Sequence, residues 1–439
     1  MDRPLEGLIP FVDPSDTIVL FDGVLDLRQA HGAAVSGPGR IVLQRRASSV
    51  IRWGVDLGGE DDEVRLDWAL RVGEPTTLSF DFHGTRTELD VHHGYLGGGT
   101  LLRGMRFGGE RPLRDVITHW VNLVPLPGSS DLESRASDQT RTVWRGRWEM
   151  DIEGWSLTID ERSDVRAALQ VATREQQHVV THVMRVARRD GASFFAADAM
   201  DVVERLHVAF SFMLGRWVAP VLSVGHDESR RVGWSEWAPF LLDSPSISHG
   251  RWWAEHRPQD LSTYLEAFLA AWADADVRDS LSYALHASVA ASGTGYTEQR
   301  LQTAVSALGR LHWLQYGHEG SSVTDGLRRL LHDARVDTSI DAARQPELAA
   351  YAERHIAKPE WRDGPGVVVQ LRNEVTHPKH SDPLLESPRL LPEASRLASR
   401  YLDLALLRLM GYTGSTVDRT FLTSVFSATG PVPWATVDS

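Results

Sequence analysis

The stretch VVVQLRNEVTHPKH, residues 367–380, sets Arg372, Asn373 and His377 directly after an apolar run. At about 100° per residue, Asn373 and His377 share one face of a helix, whereas Arg372 and His377 stand about 140° apart. Helical spacing alone therefore does not gather all three. Pro378 biases His377 away from the α region, which ends the helix there and frees the imidazole to turn back toward the long Arg372 side chain. Such a pair suits RNA cleavage without a metal. An imidazole that titrates near neutrality moves the protons of the 2′-hydroxyl and of the leaving oxygen, and a guanidinium holds the phosphate and its growing charge. The same three residues also read as helix-end capping and surface polar contacts, and residue chemistry alone leaves both readings open.

Other motifs fit their chemistry less well. His178 and His182 in HVVTH have the i, i+4 spacing of a zinc-binding helix, but Val179 stands where the general base Glu belongs, and the segment alternates like a strand. The glycine-rich stretches HHGYLGGGT (92–100) and SGPGR (36–40) lack the Gly-Lys-Ser/Thr ending of a phosphate loop and read as hairpin turns. No Gly-x-Ser-x-Gly elbow marks a serine hydrolase. The chain has no cysteine, which removes disulfides, thiolate metal sites and cysteine nucleophiles together.

The elements that must position these residues change character near residue 245. Before it, TLSFDF (77–82), TELDVHHGYLGGGTLLRGMRF (87–107), RTVWRGRWEMDIEGWSLTID (141–160) and HVVTHVMRVARRD (178–190) alternate apolar and polar residues, the period of strands. Trp144, Trp148 and Trp155 on those strands are assigned to the core. Residues 196–217 break the pattern with helical spacing and close the β-rich region. From about 260 onward the period is helical, over 261–275, 277–292, 297–317, 323–335, 342–356, the motif stretch and 391–412. Thr297 is read as capping the third of these without a capping-box acid. The fold class is thus α+β: a β-rich domain over residues 1–245, then an all-α antiparallel bundle over 246–439.

Composition bounds the function. The chain of 439 residues is too long for one comfortable core, and its 42% apolar and 24% charged residues describe a globular protein. A formal charge of −13 argues against coating nucleic acid non-specifically, though not against a brief encounter with it. Only Lys358 and Lys379 are lysines, an arginine bias that codon usage explains. No secretory n-region or membrane-length apolar run is visible, so the reading is a cytoplasmic protein with no membrane partner.

LRNEVTHP, in the latter half of a helical region, resembles the Arg-x(4–6)-His signature of HEPN domains, in its Arg-Asn-x-x-x-His form. Arg372, Asn373 and His377 match position by position. The wider layout resembles the ApeA-like anti-phage proteins, with EGWSLTID (153–160) and HVAFSFMLGRW (207–217) among the similar segments. The resemblance implies a metal-independent endoribonuclease acting by abortive infection, with no cofactor. Arg372 and His377 would be catalytic and Asn373 would orient the substrate, an RNA, with tRNA among the candidates. It implies a homodimer through the HEPN domain, with one composite cleft built from two motifs and products ending in a 2′,3′-cyclic phosphate and a 5′-hydroxyl. The β-rich domain would be a sensor, open to a phage-derived trigger. Related proteins often carry Glu in the middle helix where this chain has Gly309, so a supporting acid must come from elsewhere, with Glu298 the candidate. The alternative implied is a non-catalytic HEPN scaffold or a protein-binding module in a defence complex.

Overall fold

The computed structural model describes residues 2–7, 17–44, 50–56, 70–71, 73–82, 84–93, 98–101, 105–135, 140–237, 241–245, 252–257, 259–293, 295–317, 322–377, 384, 387–420 and 428–435. The chain divides into two compact units. The first joins residues 1–204 to 218–247, and the second joins 205–217 to 248–439. The helix that the sequence assigns to the close of the β-rich region, α2 (Ala196–Leu214), is therefore shared, its second half packing with the helical unit.

The first unit opens with a closed six-stranded barrel in the order β1-β2-β3-β6-β5-β4. Its strands are β1 (Ile18–Gln29), β2 (Ala34–Gln44), β3 (Val50–Val55), β4 (Thr76–Phe82), β5 (Thr85–His93) and β6 (Gly98–Leu101). Closure leaves no open edge, so the barrel needs no outside partner for its ladder. SGPGR lies inside β2 and is not a turn, with Gly37 opposite Leu25 and Gly39 opposite Gly23. The reason is close approach: a Cβ on Gly39 would fall 2.5 Å from the Gly54 carbonyl oxygen on the neighbouring strand. HHGYLGGGT does join two antiparallel strands, β5 and β6, although its residues 94–97 lie outside the described part.

An antiparallel eight-stranded sheet follows, ordered β7-β14-β13-β8-β12-β11-β10-β9. It comprises β7 (Met105–Gly108), β8 (Asp115–Val121), β9 (Ser130–Arg135), β10 (Arg141–Ile152), β11 (Trp155–Glu161), β12 (Val180–Arg188), β13 (Ala219–His226) and β14 (Val232–Trp237). Helix α1 (Val165–Glu175) connects β11 to β12. Central strand β8 is buried along its whole length, as a strand covered on both faces must be. Barrel residues such as Leu25, Trp53 and Phe80 share one hydrophobic core with Val121, Val221 and Trp237 of the sheet, so barrel and sheet form one unit. Trp148 and Trp155 are buried, as the alternation requires. Trp144 is half-buried, its indole N–H donating to the Glu161 carbonyl at 2.9 Å.

The second unit holds α3 (Gln259–Ala273), α4 (Ala275–Ser292), α5 (Thr297–Tyr316), α6 (Val323–Asp333), α7 (Pro346–His355), α8 (Gly364–Thr376) and α9 (Leu390–Leu409). All seven fall on the segments with helical period. Helix α9 packs against α4, α5, α7 and α8, and its long run of buried residues is what a central helix with several covered sides must carry. The bundle is not purely helical: β15 (Ser415–Val417) and β16 (Thr429–Pro431) pair after α9. Thr297 does not cap α5 either. The cap position belongs to Tyr296, whose side chain makes no capping bond, because Thr297 is already inside the helix.

Candidate functional site

Helix α8 carries the Arg-Asn-x-x-x-His motif, and both of its ends explain where the motif sits. At the N-terminus the Asp363 carboxylate accepts the Gly366 N–H at 3.0 Å, a cap of the kind that satisfies an otherwise orphaned donor. The same carboxylate takes two parallel bonds from Arg328 of α6, at 2.7 and 2.9 Å, so it ties α8 to a neighbour as well as starting it. Gly364 allows the next contact. A Cβ there would lie 2.0 Å from the Tyr401 hydroxyl of α9, so only glycine lets the two helices approach this closely.

Val367, Val368, Val369 and Leu371 are then buried in succession, against α5, α6, α7 and α9. Beyond them burial falls away toward the motif. Arg372 and Asn373 are half-buried, Glu374 is buried, and Thr376 and His377 are exposed. The helix ends where Pro378 requires: His377 is the C-cap, with φ −130° and ψ 73°, and its N–H still reaches the Asn373 carbonyl at 2.8 Å. The Thr376 hydroxyl donates to the Arg372 carbonyl at 2.9 Å and accepts from the Gln302 side chain of α5 at 3.3 Å. That last bond pins the end of α8 to α5.

The three motif side chains thus cluster at one helix end without bonding to each other. Among the described residues no side-chain hydrogen bond or ion pair joins Arg372, Asn373 and His377, and the buried Nε of Arg372 has no partner. Glu298, the candidate supporting acid, is exposed in the first turn of α5, one turn before Gln302 and on the same helical face. Gly309, where related proteins have Glu, faces open space with nothing within 4 Å of a Cβ. His380 lies outside the described residues.

The pair His178 and His182 turn to separate partners. The His178 Nδ1 lies 2.8 Å from the Asn122 amide, while His182 is fully buried on β12 with its Nε2 3.8 Å from Glu161. Burial drives the two members of that second contact toward neutrality, His182 down to about 3 and Glu161 up to about 7. No group of three or more His, Asp or Glu is placed to hold a metal ion among the described residues. No helix among them is long and apolar enough to cross a membrane. Sequence reasoning had no signal for Gln302, Thr376 or the Asp363–Arg328 tie, whose roles come from helix–helix packing.

Both units have counterparts elsewhere. Residues 108–248 match the YopA central domain, and residues 274–429 match the YopA C-terminal domain. The first match runs from the last residue of β7 through β14 and the second from α4 to the first residue of β16, motif included; the barrel and α3 lie outside both. The chain is also similar to the SPbeta prophage-derived uncharacterized protein YopA of Bacillus subtilis strain 168, 23% identical over 313 residues that make up 68% of each chain. No solved structure matches. These relatives carry the YopA name and not the HEPN or ApeA names that the motif brings to mind.

Proposed function

We propose that this protein is a metal-independent endoribonuclease that acts in anti-phage defence by abortive infection, using Arg372 and His377 in a cleft shared by two copies of the chain. The observation that carries the reading is the end of α8. An exposed imidazole at the cap follows, on the same helix end, a half-buried guanidinium whose Nε has no partner among the described residues. His377 takes or delivers the proton, Arg372 holds the phosphate and its developing charge, and Asn373, on the His377 face of the helix, orients the substrate. The chemistry yields a 2′,3′-cyclic phosphate and a 5′-hydroxyl end.

The separation of the three side chains within one chain supports the shared cleft. Cleavage needs one proton removed from the 2′-hydroxyl and another delivered to the departing 5′-oxygen, which one histidine serves poorly and two serve well. A twofold axis beside the motif supplies the second His377 and turns each Arg372 toward its mate. The sheet-and-barrel unit would act as the sensor, for a trigger of phage origin. A relative derived from a prophage is in keeping with a role in conflict between phage and host.

Incubating the purified chain with total RNA in EDTA tests the reading. Cleavage should proceed at the same rate as in magnesium and leave 2′,3′-cyclic phosphate ends. Intact RNA, with or without magnesium or manganese, would favour a non-catalytic scaffold, and activity that EDTA abolishes and magnesium restores would replace this chemistry with a metal-dependent one.

A further inference from the structure

One face of the eight-stranded sheet holds a cavity of about 420 Å³, at the scale of small-molecule sites, walled on one side by residues 4–6 of the N-terminal segment. Strand register assembles its other side. On central strand β8, Asp115 lies directly opposite His226 of β13, and Ile117 lies opposite Arg185 of β12. Residues two apart on a strand share a face, and so do direct cross-strand partners, so Asp115, His226 and Arg185 all project to one side. The turn after β13 adds Arg230, whose backbone is held in the left-handed region at φ +62°. Asp227 shapes that turn by accepting the Ser229 and Arg231 N–H groups at 2.8 and 3.0 Å.

The charges in this cavity are unevenly committed. The His226 Nδ1 lies 2.8 Å from the buried Asp115 carboxylate, which fixes the ring, and Nε2 has no partner among the described residues. The Nε of Arg185 is buried and has no hydrogen-bond partner, and among the described residues neither Arg185 nor Arg230 pairs with a carboxylate. Glu6 stands exposed at the rim. The N-terminal wall is fastened in place, the Leu5 N–H donating to Asp160 at 2.7 Å and Asp160 receiving Arg147 through two bonds of 2.8 Å. A buried donor left unmet is costly, and here it points to something that meets it.

We infer that this cavity binds the phosphate of a small phosphomonoester, with Arg185 and Arg230 on the phosphoryl oxygens and the Asp115-oriented His226 presenting Nε2 to them. Two guanidinium groups match a dianionic tetrahedral head in charge and in donor geometry, better than they match a single carboxylate. The size of the cavity selects a ligand no larger than a mononucleotide. The site does not depend on the nuclease reading, since every residue in it belongs to the sheet unit.

Calorimetric titration of the full-length protein tests this with three probes: inorganic phosphate, adenosine 5′-monophosphate, and a single-stranded RNA lacking terminal phosphates. Saturable binding of the first two is expected, with the nucleotide tighter. Arg230→Gln, an exposed change that spares the fold, should weaken both by about tenfold or more, and Arg185→Met should do the same. Binding of either probe that Arg230→Gln leaves unchanged would overturn the assignment, as would no saturable binding of phosphate or nucleotide by the wild type. Equal affinity for the RNA would show a backbone-binding surface in place of a monoester site.

Discussion

His377 is exposed at a helix cap and its side chain makes no hydrogen bond or ion pair among the described residues, so its loss should cost chemistry and almost no stability. His377→Ala is expected to abolish RNA cleavage while shifting unfolding free energy by no more than about 0.5 kcal/mol. Arg372→Lys should also be severely impaired, because a point charge cannot reproduce two-pronged phosphate contact. Wild-type cleavage by either variant in a gel assay would make that residue structural. A second residue-scale expectation concerns acid. His119 and His182 are fully buried and pushed down to about 4 and about 3 from 6.5, so below pH 6.5 the unfolded chain takes up protons that the folded one refuses. Stability is therefore lost as pH falls through that window. Glu161, raised from 4.5 to about 7, acts in the opposite sense: the folded state holds its proton between those values, stabilising the protein below 4.5 and losing that contribution as pH rises through 7. Removing one of the two histidines should therefore show by difference: in urea unfolding, His119→Leu should lose less stability than the wild type as pH falls from 6.5 toward 4. A slope unchanged in that variant would remove His119 from the account.

At the level of elements, Asp363 both caps α8 and binds Arg328, so Asp363→Ala should lower stability by about 1–2 kcal/mol or somewhat more. The same change should loosen the motif at the far end of α8 and reduce cleavage, while a melting temperature equal to wild type would show that the tie contributes nothing. These elements were unequally legible in the sequence. The helices α3 to α9 announced themselves by period, and Pro378 marked the end of α8 to the residue. Alternation likewise marked the strands from β4 to β7 and from β10 to β12. Strand β2 was hidden because SGPGR reads as a turn, and its true reason, the approach of the Gly54 backbone to Gly39, is a contact between strands that no local pattern carries. Helix α1 was also missed: its buried stripe, Val165, Ala168 and Ala172, is mostly alanine and stands out weakly from the flanking strands. Arg372, Asn373 and His377 were legible because they are neighbours in sequence. Asp115, Arg185 and His226 were not, because only the register of three strands brings them to one face.

On the scale of the whole molecule, the chain joins a barrel-and-sheet unit to a helical bundle, and the two YopA matches follow the sheet and the bundle without the barrel. If the sheet unit senses a ligand and the bundle cuts RNA, the working form is a dimer through the bundle, and light scattering of the purified protein should report twice the chain mass of 48.9 kDa. A strictly monomeric species that cuts RNA at the full rate would refute the shared cleft. The most direct measurement mixes His377→Ala chains with Arg372→Ala chains and follows RNA cleavage after the dimers exchange. Each variant alone should be inactive. The mixture should recover part of the wild-type rate, because a mixed dimer keeps one His377 and one Arg372 across the cleft. A mixture that stays as inactive as its parents, while wild type cuts RNA, would contradict a site built from two copies of α8.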